Sequence, residues 1–159
     1  MAETQYRDLF RLLQSDGWDS MEQGTRERSW WKLKATLPSG RRIEVNFSAE
    51  SALCRFELTV AHISPARSCI RALSCFLLEI NHQVRLVRFS IDWRGYVHMS
   101  ADLASDWVSP DSVRMVLSAM KAYFQQYHEE VQLLARHEAA ARLKDEILDE
   151  ALGEELVIR

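Results

Sequence analysis

Residues 86–103 constrain the fold of this 159-residue chain more than any other stretch. Two segments in which apolar and polar side chains alternate flank a short turn sequence at 92–95 that ends in glycine. Side chains at every second position share one face of a strand, so the pattern predicts a hairpin of strands over 85–92 and 96–101 with one buried face. Ser109, Pro110 and Asp111 then combine a capping hydroxyl, a proline at the first helical position and an acidic first turn. The sequence therefore predicts a hairpin followed by a long helix, the closing unit of a compact α+β domain.

The front half of the chain predicts one helix and a meander of strands. Apolar residues at three- and four-residue spacing over 3–15, with Gly17 as a stop signal, predict an N-terminal helix. The period then changes to two, which is typical of strands with one buried face. The predicted strands cover 30–37, 42–48 and 53–63, and a short edge strand is expected over 18–23.

A central helix is predicted from Ser64 and Pro65 to about Asn81, because serine caps the free amides and proline fits the first turn. Apolar residues cover much more than one stripe of this helix, so most of its sides should be covered. Either the helix is sandwiched within the domain, or its second face meets another subunit.

The last helix keeps its apolar stripe to about residue 135, and the stripe thins beyond that point. We therefore predict a single α+β domain over 1–135 and a helical extension or tail over 136–159. The extension could fold back, project as a solvated arm, or pack on a partner. The full order is α-β-β-β(-β)-α-β-β-α, with a mostly antiparallel sheet, the helices on one face and a long C-terminal helix.

Composition argues against several classes of protein. The net charge of −3 and pI near 6.0 give no electrostatic reason to expect nucleic-acid binding. No apolar run approaches the roughly 20 residues that a membrane span needs, and no secretory signal is visible. Cys54, Cys69 and Cys75 are odd in number and lack CxxC spacing, so we expect reduced thiols and a cytoplasmic location.

No constellation in the sequence predicts catalysis, a cofactor or a metal. The five histidines show no HxxxH or HExxH spacing, and neither a phosphate-binding glycine loop nor a nucleophile elbow occurs. Asp92 and Asp102 bracket the final hairpin, where we expect them to cap turns. We therefore expect a protein that is not an enzyme and has no catalytic, cofactor-binding or metal-binding residues.

The order of elements resembles the type III secretion chaperone-like fold, and residues 76–127 resemble the YbjN family. The residues that carry this resemblance are a helix ending in Asn81, the strand Arg88–Asp92, Gly95, Val97 and the step Ser100–Leu103 before a capped helix. The resemblance implies a small, often dimeric, non-enzymatic protein that binds other proteins. The tryptophan-rich front half and the tail after residue 135 depart from the family pattern.

Two surfaces are predicted to bind proteins, since tryptophan is favoured at interfaces. Trp30 and Trp31 are adjacent on a strand, so one of them must point away from the core side. The outward tryptophan is either part of a protein-binding surface or is covered by the N-terminal helix or the tail. The predicted partner-binding residues are Trp30, Lys32, Lys34, Trp93 and Tyr96. The predicted homodimer interface, on the central helix, consists of Ile70, Leu73, Phe76 and Leu77.

The first hypothesis is therefore a homodimeric, chaperone-like or adaptor module that binds an unidentified protein client. The alternative is a regulatory protein acting through its C-terminal arm, where apolar residues could form a helix-in-groove ligand. Those residues are Leu143, Ile147, Leu148 and Leu152.

Overall fold

The computed structural model describes residues 3–25, 28–50, 52–63 and 68–136. Its elements follow the predicted order, with four strands before the central helix. The helices are α1 (Glu3–Leu12), α2 (Ser68–Gln83) and α3 (Pro110–Ala135). The strands are β1 (Trp18–Thr25), β2 (Arg28–Thr36), β3 (Arg42–Ala49), β4 (Leu53–His62), β5 (Arg88–Ile91) and β6 (Tyr96–Ala104). The predicted α+β class is confirmed.

The six strands form one sheet in the order β1-β2-β3-β4-β6-β5, and every neighbouring pair is antiparallel. The chain leaves β4, passes through α2 and returns at the far edge as β5, so that β6 pairs with β4 on one side and with β5 on the other. The edge strand predicted over 18–23 is present as β1 and reaches Thr25. β1 and β5 are the outermost of the described strands.

β5 begins three residues later than the predicted strand 85–92. Leu86 has a φ of +68°, the left-handed conformation, which interrupts an extended strand. The backbone N–H of Arg85 donates to the hydroxyl of Tyr123 on α3 at 3.2 Å. This contact orients the α2–β5 connection toward α3, so only the last part of the alternating pattern pairs as a strand.

One face of the sheet carries the core, and alternate residues of the strands are buried on it. Phe47 lies at the centre of an aromatic cluster whose ring centroids are 4.9–5.6 Å from its own. Its neighbours are Tyr6 and Phe10 from α1, Trp31 from β2 and Phe56 from β4. Trp31 is therefore the inward member of its pair, and α1 covers it.

The long helix α3 begins as predicted. Ser109 accepts a hydrogen bond from the backbone N–H of Ser112, and the Ser112 hydroxyl accepts one from the backbone N–H of Ser109. This capping box satisfies two amides that the helix cannot pair internally. The buried stripe of α3 runs from Val113 to Ala135, and the helix ends there.

The start predicted for the central helix, at 64–67, lies outside the described residues. The predicted extension over 136–159 also lies outside them, except for Arg136. None of the described helices combines the length and apolar composition needed to cross a bilayer.

Candidate protein-binding surfaces

The second face of the sheet, here called the outer face, carries polar and charged side chains. Lys32 and Lys34 on β2 both pair with Glu44 on β3, at N–O distances of 2.5 and 3.7 Å. The ammonium of Lys32 also lies 5.7 Å from the ring centre of Trp30, which is half-buried on this face. The two predicted lysines thus lie close to Trp30 on the outer face, but the carboxylate of Glu44 offsets much of their positive charge.

A second ion-pair group lies on the outer face where β4, β6 and the edge strand β5 are neighbours. Asp102 on β6 accepts a hydrogen bond from Arg55 Nε at 2.8 Å and also pairs with Arg88 on β5. The two arginines hold the pKa of the Asp102 carboxyl below its ordinary value, chiefly through the hydrogen bond from Arg55. Asp102 therefore links β4, β6 and β5 across the surface, and its contacts with described residues are these ion pairs rather than the turn-capping contacts predicted for it.

Asp92 has the predicted turn-capping role. Its Oδ1 accepts hydrogen bonds from the backbone N–H groups of Arg94 and Tyr96, at 2.9 and 2.8 Å. Desolvation raises the pKa of Asp92, but these hydrogen bonds and the nearby His98 outweigh it, so the pKa lies below its ordinary value. The hairpin tip is therefore held in one shape by a single carboxylate.

The tip presents Trp93 with 86% of its surface exposed. The guanidinium carbon of Arg94 lies 4.7 Å from the Trp93 ring centre. Tyr96 is also exposed and its ring lies tilted against that of His62 on β4, with ring centres 4.5 Å apart and an interplanar angle of 51°. Both predicted residues are thus accessible at this end of the molecule.

The two predicted partner-binding groups do not join into one patch. Strand register places Trp30 level with Asp102, because Trp30 pairs with Ser48, Ser48 with Arg55, and Arg55 with Asp102. Tyr96 lies six residues further along β6 and three strands away from Trp30. At about 3.4 Å per residue and 4.8 Å per strand, the two are roughly 25 Å apart. A single short segment of a partner could not contact both.

The predicted dimer interface on α2 needs correction. Leu73 and Leu77 are buried inside the monomer, and Phe76 packs partly against the core, so these side chains hold α2 to its own domain. Ile70 is 45% exposed, as an interface residue must be. Leu78, which the sequence prediction omitted, is 70% exposed. The periodic pattern covers both sides of this helix and could not show which leucines face outward.

Trp107 is another exposed residue that sequence reasoning missed; 74% of its surface is exposed. It lies in the short turn Ser105–Trp107 between β6 and α3. A large aromatic residue among polar residues just before a helix cap is the signal that could have pointed to it.

One small opening lies between β3 and β4, where their pairing stops after Asn46 and Glu57. Its volume is about 180 Å³. Asn46 lines it, and the Oδ1 atom of Asn46 is buried with no hydrogen-bond partner. Ligand sites usually have about 300–1,000 Å³, so this opening is smaller than a typical cofactor site. Its lining residues are Arg42, Ile43, Glu44, Asn46, Leu58, Thr59 and Phe124.

Within the described residues, no three histidine, cysteine, aspartate or glutamate side chains gather as a metal site would require. Fold and surfaces together describe an α+β domain with one antiparallel sheet, a charged outer face and exposed apolar residues on α2 and around two tryptophans. No protein-family model matches the chain, and no curated protein matches it at a significant level. Its resemblance to the YbjN family therefore stays a prediction.

Proposed function

We propose that this chain is a non-enzymatic protein-binding module that acts as a homodimer and holds a protein client, as a chaperone or assembly factor does. The observation that carries the proposal is the exposed face of α2, which is complementary to a second copy of itself. Ile70 and Leu78 are 45% and 70% exposed on this face, and apolar side chains grouped on one surface are typical of a site that another protein covers.

Helical geometry makes this face self-complementary. Ile70, Ser74 and Leu78 follow one another at four-residue spacing, so they form one line along the helix surface. Ile70 and Leu78 are equally distant from the small residue Ser74. When two copies of α2 pack antiparallel around a two-fold axis near Ser74, Ile70 of one copy lies opposite Leu78 of the other.

The charges on the same face fit the same axis. Arg71 and Glu79 are placed four residues on either side of Cys75, which is exposed. An antiparallel copy therefore brings Arg71 near the partner's Glu79, and the two-fold axis generates this contact twice. Exposed ion pairs contribute only about 0–1 kcal/mol each, so these pairs would orient the helices more than hold them.

The exposed face of α2 alone provides less area than a stable protein–protein interface, which buries about 1,200–2,000 Å² of surface in total. Leu86 follows α2 closely and is half exposed, and the tip of the β5–β6 hairpin carries Trp93. We expect the α2 contact to extend onto these neighbouring residues.

The two edges of the sheet differ in how accessible their backbone groups are to a client segment. The carboxamide of Asn81 hydrogen-bonds the backbone of Phe89, which occupies part of the β5 edge. No described strand pairs with the outer side of β1. We expect an extended client segment to lie along the outer face of the sheet or against one of its edges, because edge backbone groups pair readily with another chain. The alternative function, through the C-terminal arm, involves residues outside the described part of the chain and stays a prediction.

The test measures the mass of the full chain in solution by light scattering, as a function of concentration. Leu78→Arg should convert the dimer to a monomer, because a charged side chain would be buried at the interface. Leu12→Arg is the matched control, since Leu12 is an exposed leucine on α1. A wild-type chain that is monomeric at every concentration, or a Leu78→Arg variant that stays dimeric, would refute the proposal.

A charge-reversal pair tests the orientation. Arg71→Glu and Glu79→Arg should each weaken the dimer, and the double variant should restore it, because the pair is re-formed with its signs exchanged. Mild oxidation of a Cys69→Ser chain should also produce a covalent dimer through Cys75, and Cys75→Ser should abolish it.

A further inference from the structure

Trp107 is exposed although its backbone is firmly held. Its carbonyl oxygen accepts a hydrogen bond from the Ser112 hydroxyl at 2.7 Å, and Ser112 belongs to the capping box of α3. The indole is thus presented to solvent from a turn with little freedom. A held aromatic side chain loses little conformational entropy on binding, and tryptophan is among the residues that contribute most at interfaces.

An exposed leucine lies at the same end of the sheet. Leu53 is the first residue of β4 and pairs with Ala104, the last residue of β6, and half of its surface is exposed. The next residue, Ser105, donates its backbone N–H to the carbonyl of Ala52 at 3.0 Å. These contacts join the β3–β4 turn to the turn that carries Trp107. Leu53 and Trp107 therefore belong to one surface, here called the Trp107 patch.

The segments that carry this patch also carry three carboxylates, on Glu50, Asp106 and Asp111. Glu50 and Asp106 are exposed, and neither forms an ion pair with any described residue. Asp111 shares Arg114 with Asp16, which lies closer to that guanidinium, at 2.7 Å against 3.4 Å. The patch thus combines an exposed indole with an excess of negative charge.

We propose that the Trp107 patch docks a cationic segment of a protein partner, in which an arginine lies over the indole and faces the carboxylates of Glu50 and Asp106. Arginine suits this position because its flat guanidinium stacks on tryptophan while it pairs with carboxylates. The chain shows the same stacking internally, where Arg94 lies over Trp93. An apolar residue next to the arginine would cover Leu53. The proposal rests on the protein-binding function and adds the chemistry of the client.

The probe is a fluorescein-labelled nonapeptide of alternating arginine and leucine, titrated with the full chain and followed by fluorescence anisotropy. Trp107→Ala should weaken binding about tenfold or more, as truncation of a central tryptophan does at other interfaces. The double variant Glu50→Lys, Asp106→Lys should weaken it further and reduce its dependence on salt. Leu133→Ala is the control and should bind as the wild type does, because Leu133 is an exposed apolar residue near the opposite end of α3 from Trp107. Thermal melts would verify that all variants fold.

Equal affinity of Trp107→Ala and wild type would overturn the proposal, as would an equal loss in Leu133→Ala or no binding by the wild type. Equal binding of a glutamate–leucine peptide would show that charge is irrelevant and also overturn it. Loss of the dimer in Trp107→Ala would assign the patch to a second copy of the chain instead. Because Leu78→Arg tests the dimer separately, a monomeric variant that still binds the peptide would refute the homodimer and leave this proposal standing.

Discussion

Asn81 hydrogen-bonds the backbone of Phe89 as a neighbouring strand would. Its Nδ2 donates to the carbonyl of Phe89 at 2.8 Å, and its Oδ1 accepts from the Phe89 N–H at 2.7 Å. A carboxamide offers one donor and one acceptor side by side, which matches the spacing of a strand edge. The last turn of α2 thus satisfies the outer edge of β5, and it blocks the place where another chain could add a strand.

The first prediction concerns the pair of hydrogen bonds between the Asn81 side chain and the Phe89 backbone, here called the latch. Asn81→Ala should lower the free energy of unfolding by about 1–3 kcal/mol, because two backbone groups lose their partner. Asn81→Asp should cost at least as much at neutral pH, since a carboxylate oxygen would face the Phe89 carbonyl. Urea unfolding would measure both, with the neighbouring exposed His82→Ala as control. A loss in Asn81→Ala no larger than in the control would show that the latch contributes nothing.

The second prediction concerns Gly95 in the final hairpin. Gly95 has a φ of +85°, and a Cβ added there would lie 3.7 Å from the Ile63 Cβ, an ordinary contact. Gly95→Ala should therefore destabilise the protein by about 1–2 kcal/mol through backbone conformation alone. Gly95→Asn should cost less, because asparagine tolerates this conformation. If alanine and asparagine cost the same in thermal unfolding, backbone conformation would not be the cause.

The third prediction separates buried from exposed aromatic residues. Phe47→Ala should destabilise the protein by about 3–5 kcal/mol, because it removes the centre of the aromatic cluster and leaves a cavity. Trp93→Ala removes a larger side chain but should change stability by less than about 0.5 kcal/mol, since Trp93 is exposed. Chemical denaturation of the two variants provides the comparison. Similar losses would contradict the assignment of the core.

The fourth prediction concerns pH. The pKa of Asp102 lies below its ordinary value of 3.8 in the folded protein, so its ion pairs stabilise the fold above that pH. This contribution is lost as the pH falls through the lowered pKa. Asp102→Asn should cost about 1 kcal/mol at pH 7, since Arg55 and Arg88 are both largely exposed.

The difference between wild type and Asp102→Asn should shrink steadily below pH 3.8, because the wild-type carboxyl then becomes neutral as well. Stability measured by urea at several pH values would show this convergence. A difference that stays constant down to pH 2 would mean that the charge of Asp102 does not matter.

Much of the fold could be predicted from local signals in the sequence. The cap at Ser109 and the alternation around Gly95 correctly predicted α3 and the final hairpin. Such signals depend on hydrogen bonds and side-chain directions within a few residues, so a single segment contains them. The first helix and its end at Gly17, which has a φ of +75°, follow from the same kind of local pattern.

Which residues form the candidate surfaces depends on contacts between segments that are far apart in the sequence. Periodicity showed that α2 is apolar on several sides, but only the packing of α2 on α3 and β5 decided that Leu73 is buried and Leu78 exposed. Trp107 became part of a surface because Ser105 hydrogen-bonds to the β3–β4 turn.

The sequence by itself determined the kinds of elements, their order and one side of each strand, because these follow from the local backbone and from side-chain period. The tertiary structure alone decided that β6 lies between β4 and β5, that Asn81 closes the β5 edge, and that Trp30 and Tyr96 lie far apart. The physical reason is that a period relates a side chain only to the axis of its own element. Which elements cover that side is settled by burial and hydrogen bonding between residues far apart in the chain.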